Sequence, residues 1–421
     1  MQENNPYVQY MYSYPHKTAY RRLENVHLKD YLPKLARGKS SLYFHIPFCQ
    51  YKCGYCNLFS VAGQSEQRME EYVDTMERQA AQLARALPEG ACFTELTLGG
   101  GTPLILPPPL LSRVITLAKK YFNCPPTAVE TSPNQTTKEK LAMLKEAGVK
   151  RISIGVQSFH ETELAALRRL HSADCAKKAL DMIKETGFDC TNIDLIYGIP
   201  GQTQKSLADS LKQALAFSPE ELFVYPLYVK PDTCLYQHGV KQSDDALPMY
   251  RYVRDILRDM GYYPHSMRRF SKKKVSESPC GFGRTISIGC GGRSYIDNLH
   301  FCAPYAVKQT RCLDILSDYI QQKDFLQVTH GYLLSPDEQK RRYVIRHLLF
   351  GLGIHKGDYE SHFGEDVLRS FPELCDWAGD GYVSITEGRV SLTEEGFAWS
   401  DYLGPKLISE EVRRRMEGAG T

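Results

Sequence analysis

The sequence predicts an α/β protein: a partial (β/α)6 TIM-type barrel followed by a smaller α+β, winged-helix-like C-terminal domain. Three observations carry this reading. From about residue 40 to 260, short β-branched runs alternate with long amphipathic stretches, a pattern of parallel strands joined by right-handed helical crossovers. Six such strands can be counted, two short of a closed eight-stranded barrel. Near the C-terminus a helical stretch precedes a short hairpin and a further helix.

The strands are expected at Ser41–Ile46, Glu95–Leu98, Ala128–Thr131, Arg151–Gly155, Thr191–Tyr197 and Leu222–Leu227. Between them, Gln67–Leu87 carries Met69, Tyr72, Val73, Met76 and Ala80 at helical spacing. Lys138–Ala147 and Asp174–Thr186 each run into a glycine, Gly148 and Gly187, which ends a helix readily. Gln204–Phe217 is the last barrel helix. Residues 265–312 are rich in Gly, Arg, Lys and Cys and read mostly as loop. Glu338–Phe350 is helical. Val383–Ile385 and Arg389–Leu392 form a hairpin around Glu387-Gly388, and Thr393 caps a last helix from Glu394. The expected organisation is an N-terminal extension (1–37), the barrel (38–265), a connecting region (266–325) and the C-terminal domain (326–421).

A net charge of +3 gives no drive towards nucleic acid, and no apolar run reaches the length of a membrane span. Arg413-Arg414-Arg415 is flanked by Glu410, Glu411 and Glu417, so a solvated helix face is expected there. With a polar N-terminus, the chain reads as cytoplasmic, with neither a nucleic-acid nor a membrane partner. Thirteen cysteines are then more suited to metal binding or catalysis than to disulfides. Cys92, Cys124, Cys175, Cys190, Cys234 and Cys375 are scattered and read as small buried hydrophobes.

Cys49, Cys53 and Cys56 form a C-x3-C-x2-C cluster directly after the first strand. Three thiolates on one loop can hold an iron–sulfur cluster, leaving one iron open. A zinc site completed by His45, or chance spacing, are the alternatives. Pro47 keeps the approach extended and Gly54 allows a tight turn.

With Leu42-Tyr43-Phe44-His45-Ile46-Pro47-Phe48 before Cys49, this segment resembles the radical S-adenosylmethionine (SAM) superfamily. The branch it is similar to contains oxygen-independent coproporphyrinogen III oxidases, and the resemblance runs from about Tyr43 to Leu227. It implies a [4Fe-4S] cluster on Cys49, Cys53 and Cys56, and SAM, one molecule or two. It also implies that Gly100, Gly101 and Thr102, in Gly99-Gly100-Gly101-Thr102-Pro103, receive the SAM amino group. Arg169, on the helix after the fourth strand, would hold the methionine carboxylate. Glu130, Gln157 and Asp194 would meet ribose hydroxyls and neighbouring polar groups, and Tyr43 would sit beside the sulfonium. Singly, Arg169 reads as a solvated helix residue and Asp194 as a satisfied strand carboxylate; together, in order, they read as a site.

The implied activity is reductive cleavage of SAM to a 5′-deoxyadenosyl radical that abstracts hydrogen from a small-molecule substrate. The electron would come from a donor such as flavodoxin or ferredoxin. Oxidative decarboxylation of a porphyrinogen propionate is the default reaction, and Tyr12-Ser13-Tyr14-Pro15-His16 is similar to a segment preceding the barrel in those oxidases. Two departures weaken that label. Leu58 stands where the oxidases carry a fourth cysteine, and the loop from Cys280 to Arg293 does not match their residues for a second SAM. The His-Asn…Tyr-Trp element of the haem-chaperone relatives is also missing. A heteroaromatic methyltransferase is the alternative, with a haem-binding chaperone or a zinc-stabilised binding protein from another class. Cys280 or Cys290 could be a substrate-side thiol, and Cys280, Cys290, Cys302 and Cys312 could hold a second cluster. Arg268, Arg269, Lys272, Lys273 and Lys274 read as a solvated basic loop that could attract a polycarboxylate.

Overall fold

The computed structural model describes residues 6–11, 13–36, 38–274 and 283–418. Six parallel strands lie side by side in chain order: β1 (Lys39–Ile46), β2 (Cys92–Gly100), β3 (Ala128–Thr131), β4 (Arg151–Gln157), β5 (Cys190–Tyr197) and β6 (Glu221–Pro226). Phe44, Leu98, Ile152, Ile193 and Leu222 are buried in one continuous core, as parallel strands covered by helices require. The crossover helices begin and end on local signals. Ser65 caps Glu66–Ala86 through Arg68 N–H, and Gly187, at φ 71°, closes Ala173–Thr186.

The segment expected mostly as loop carries four short strands among its described residues. Arg284–Ile288 adds to β1 as a further parallel strand. Ser294–Ile296, Leu299–Phe301, Gln327–Leu333 and an unforeseen N-terminal strand, Arg21–His27, follow it antiparallel. At the other edge, Arg269–Ser271 pairs antiparallel with β6. The result is an open sheet of 13 strands. The strands of three to five residues have too little periodicity to be read from sequence, and the two of seven, Arg21–His27 and Gln327–Leu333, lack a strict alternation of buried and exposed positions; partners distant in the chain make them.

The basic stretch is likewise not a solvated loop throughout. Arg268 is buried against Asp401, Arg269 pairs with Glu221, and Lys272 donates to the Ser218 carbonyl at 2.7 Å. Of the scattered cysteines only Cys124 is buried; Cys92 and Cys375 are exposed, and Cys175, Cys190 and Cys234 are half-buried. Burial needs a core-facing register as well as an apolar side chain, and most of these positions lack it.

Past the barrel, Pro336–Leu348 packs with a three-stranded sheet of Ile354–His355, Arg389–Leu392 and Val383–Ile385 around a second core. The helix from Glu394 is not the last: Ser400–Lys406 and Glu410–Glu417 follow it. Met11, Tyr14 and Tyr20 belong to this second core, so the N-terminal segment packs against the C-terminal helices. Among the described residues, no helix is long and apolar enough to cross a membrane.

Candidate active site

β1 delivers the chain to Cys49, where Phe48–Cys49 pairs with Val61–Ala62 and closes the cysteine loop. Val61 N–H donates to the Pro47 carbonyl at 2.8 Å, and Cys56 N–H to the Cys53 carbonyl at 3.1 Å. Gly54 is pinned on both sides: its N–H reaches the Leu167 carbonyl (3.0 Å), and its carbonyl accepts from Leu235 N–H (2.9 Å). A Cβ on Gly54 would lie 3.1 Å from Leu235 Cδ2 and 3.2 Å from Leu167 O. The bare glycine therefore permits this close approach.

The loop lies at the carboxyl ends of β1–β6, where such sheets carry their sites. There one cavity of about 880 Å³ is lined by Cys49, Cys53, Cys56, Gly100, Gly101, Thr102, Glu130, Gln157, Arg169 and Asp194. Ten of the eleven residues singled out in the sequence thus face one space. The eleventh, Tyr43, does not line it. A Cβ on Gly99 would meet both the Tyr43 hydroxyl and Glu130 Oε2 at 2.8 Å, which puts Tyr43 behind the glycine ridge.

The ridge is glycine because backbone and sulfur crowd it. A Cβ on Gly101 would fall 2.6 Å from Phe48 O and 2.8 Å from Cys49 Sγ. Gly100 adopts φ 124° and donates its N–H to Glu130 Oε2 at 3.1 Å. Thr102 Oγ1 is 3.7 Å from Cys49 Sγ. Arg169 lies not on a helix but in the turn just after Glu161–Ala166. From there Nη1 donates to Cys53 Sγ at 3.1 Å and Nη2 to the Gly155 carbonyl, while the buried Nε has no partner. Gln157 ends β4 at φ 74°, a left-handed conformation unusual for a residue with a side chain.

Burial dominates the electrostatics. It pushes the Cys49 thiol up to about 12 and raises Cys56 as well. These thiols stay protonated at neutral pH until a metal takes the sulfur as thiolate. Glu130 is raised by burial, against the Gly100 N–H bond. Asp194 is raised to about 7 by burial, opposed by the Asn192 side-chain amide at 2.6 Å.

The donor set fits an iron–sulfur cluster better than zinc. His45 is buried off the cavity wall, with Nε2 3.1 Å from the Phe59 carbonyl oxygen. Among the described residues no three Cys, His, Asp or Glu side chains stand close enough to hold one ion. A cubane needs no such convergence, because each thiolate binds a different iron. The unpartnered Arg169 Nε and the left-handed Gln157 are the features expected of a wall awaiting a polar ligand.

The outer part of the cavity was not legible in sequence. Tyr10, Tyr225, Tyr228 and Tyr305 line it with His16 and Lys230. Tyr10 stacks on Tyr228 with centroids 6.0 Å apart. His16 closes the motif noted before the barrel, of which Tyr12 lies outside the described residues. Cys290, considered as a substrate-side thiol, does not line the cavity. It is buried with Sγ 4.0 Å from the Tyr72 hydroxyl. Cys280 lies outside the described residues, and with it part of the four-cysteine set considered for a second cluster.

Comparisons agree with this geometry. Residues 43–214 match the family model described as the radical SAM superfamily. The haem chaperone HemW of Haemophilus influenzae is 30% identical over 272 residues, 62% of this chain and 70% of that protein. HemW of Bacillus subtilis is 29% identical across 88% of this chain and 97% of its own. The oxygen-independent coproporphyrinogen III oxidase of Escherichia coli is 28% identical, covering 92% and 91%. The solved structure of the Escherichia coli coproporphyrinogen III oxidase HemN superposes with a TM-score of 0.81 at 24% identity, over 95% of this chain and 97% of that one, which shows the fold. Three loop cysteines, a glycine ridge against them and a polar wall at the strand ends thus agree with sequence kinship: the chain belongs to the radical SAM superfamily, in the branch shared by oxygen-independent coproporphyrinogen III oxidases and the haem chaperone HemW.

Proposed function

We propose that this enzyme abstracts a hydrogen atom from a carboxylate-bearing small molecule, with coproporphyrinogen-like oxidative decarboxylation as the reaction. The observation that carries the reading is the shared cavity. Cysteines, glycine ridge and polar wall occupy its inner part, while tyrosines and Lys230 line the rest. A volume of about 880 Å³ is near the upper end for small-molecule sites, so two ligands can be accommodated.

When bound, a [4Fe-4S] cluster would supply the electron for reductive cleavage of SAM. Cys49, Cys53 and Cys56 hold the cluster. Arg169 offers its free Nε–H to the methionine carboxylate while its other nitrogens stay on Cys53 and Gly155. Gly100, Gly101 and Thr102 receive the amino group. Glu130, Gln157 and Asp194 orient the ribose, with Tyr43 backing Glu130 through the ridge. The tyrosine wall excludes water and presents flat apolar faces, and Lys230 offers an ammonium to a carboxylate.

The test is anaerobic turnover with coproporphyrinogen III and an added one-electron acceptor, which takes the electron left when the substrate radical loses CO₂ and becomes the vinyl product. Release of CO₂ with 5′-deoxyadenosine supports decarboxylation; S-adenosylhomocysteine and a methylated product would replace it with methyl transfer. A haem-chaperone role is the second reading, favoured by the HemW relatives. Stoichiometric haem binding without decarboxylation would select it.

A further inference from the structure

Tyrosine rings follow one another from the cavity wall into the core. Tyr225, on β6, lines the cavity with Glu130 and Asp194. Its ring centroid is 6.4 Å from that of Tyr10, which stacks 6.0 Å from Tyr228. Tyr7 lies edge-on to both Tyr228 and Tyr197, 6.2 Å from each, and its hydroxyl is 3.1 Å from that of Tyr197. Tyr197 in turn is 6.3 Å from Tyr250, on the helix Ala246–Asp259. The N-terminal segment, β5, β6 and this helix thus bring six rings into one series, spaced closely enough for an electron to pass between neighbours.

Tyr228 carries what an oxidised phenol needs. Loss of an electron turns a phenol into a strong acid, and a cationic ring is costly away from water, so a base must stand within reach. The Tyr228 hydroxyl donates to the carboxylate of Asp401, which is 1% exposed and paired with Arg268. Arg268 Nη2 also donates to the Tyr228 oxygen at 3.2 Å, fixing it beside that base. At the inner end of the series the buried Tyr250 hydroxyl has no partner among the described residues, so a proton has no acceptor there. An electron vacancy that enters at the wall therefore rests at Tyr228.

We propose that Tyr225, Tyr10 and Tyr228, with Asp401 as the base, form an outlet for a radical left in the cavity when SAM is cleaved with no substrate present. The inference rests on the function proposed above. Without an outlet, such a radical stands beside the backbone Cα–H bonds of Gly100 and Gly101, which line the same cavity and are weak. In the outlet, the carbon radical takes the hydrogen atom of the Tyr225 hydroxyl: the O–H bond breaks and a C–H bond forms. Tyr228 then gives one electron through Tyr10 to the Tyr225 oxygen and its own proton to Asp401, while Tyr225 takes a proton from solvent. The low-potential donor that reduces the cluster returns one electron to Tyr228, Asp401 returns the proton, and the wall is restored.

The experiment places 3-fluorotyrosine at position 228, which keeps the ring and hydroxyl and splits the EPR signal of a radical on that ring. Two samples are frozen after reaction: the reconstituted holoenzyme with SAM and dithionite but no substrate, and the cofactor-free protein after flash oxidation by a ruthenium complex. A fluorine-split tyrosyl signal is expected in both. Tyr228→Phe should lose that tyrosyl signal in the holoenzyme and raise the fraction of enzyme inactivated per SAM cleaved. Tyr236→Phe, at an exposed tyrosine outside the series, should change neither. A tyrosyl signal without fluorine splitting, or one that survives in Tyr228→Phe, would overturn the proposal. Absence of 5′-deoxyadenosine from the holoenzyme sample would instead contradict the function, and the cofactor-free sample would still decide whether Tyr228 holds the radical.

Discussion

Arg169 donates from Nη1 to the sulfur of Cys53 at 3.1 Å, so the cation on the polar wall is tied to a residue of the cysteine loop. Replacement by Ala should leave iron loading near normal, because three thiolates remain. SAM affinity should fall about 10- to 100-fold, the size of a lost hydrogen bond to a charged group. Lys should recover little, since a point charge cannot serve three partners as the planar guanidinium does. Calorimetric titration of SAM into the iron-loaded variants checks this.

Gly101 and Gly63 make a matched pair. A Cβ at Gly101 strikes Phe48 O and Cys49 Sγ, whereas Gly63, at φ 67°, has nothing within 4 Å. Gly101→Ala should abolish or severely reduce cluster loading. Gly63→Ala should load normally and lose about 1 kcal/mol of stability through its backbone conformation alone. Iron content and thermal melting separate the two.

Asp194 gives a pH prediction with a definite sign. Its folded-state value of about 7 lies above the unfolded value of about 4. The folded chain therefore holds the extra proton, and stability from this group is present at low pH and lost as pH rises from about 4 to about 7. Asp194→Asn should melt higher than the unaltered apo-protein at pH 8. The difference should vanish near pH 4, and SAM binding should weaken. Thermal melts across pH, with SAM titration at pH 8, are the measurements.

Asp401 ties the N-terminal segment to the cavity wall. Its carboxylate pairs with Arg268 and accepts from the Tyr228 hydroxyl and, at 3.4 Å, from Met11 N–H. Arg268 also lies over the Tyr10 ring, 3.9 Å from its centroid. Asp401→Ala leaves the buried Arg268 without its partner and should cost about 3–5 kcal/mol. Hydrogen exchange at residues 7–11 should rise before that of the barrel strands.

The barrel was legible because its signals are local. β3 spans the expected residues and the other five strands differ by no more than three residues at either end. The cysteine spacing lies within one loop, and ten of eleven marked residues meet at one cavity. What was missed is held by long-range contacts. The Arg284–Ile288 strand exists because β1 offers an edge, and Tyr10 reaches the wall because Asp401 holds its neighbours Gln9 and Met11 while Arg268 lies over its ring. Tyr7 meets Tyr197 across 190 residues of sequence at 3.1 Å. Among 27 tyrosines, no periodicity distinguishes those that line a cavity.

The central claim is tested most directly by anaerobic reconstitution with iron and sulfide, followed by iron counting, EPR and a dithionite-driven SAM-cleavage assay. The account predicts about four irons per chain, a reduced-cluster signal that SAM alters, and 5′-deoxyadenosine formation that a Cys53→Ala variant lacks. One bound zinc per chain, with no SAM cleavage under any reductant, would contradict it.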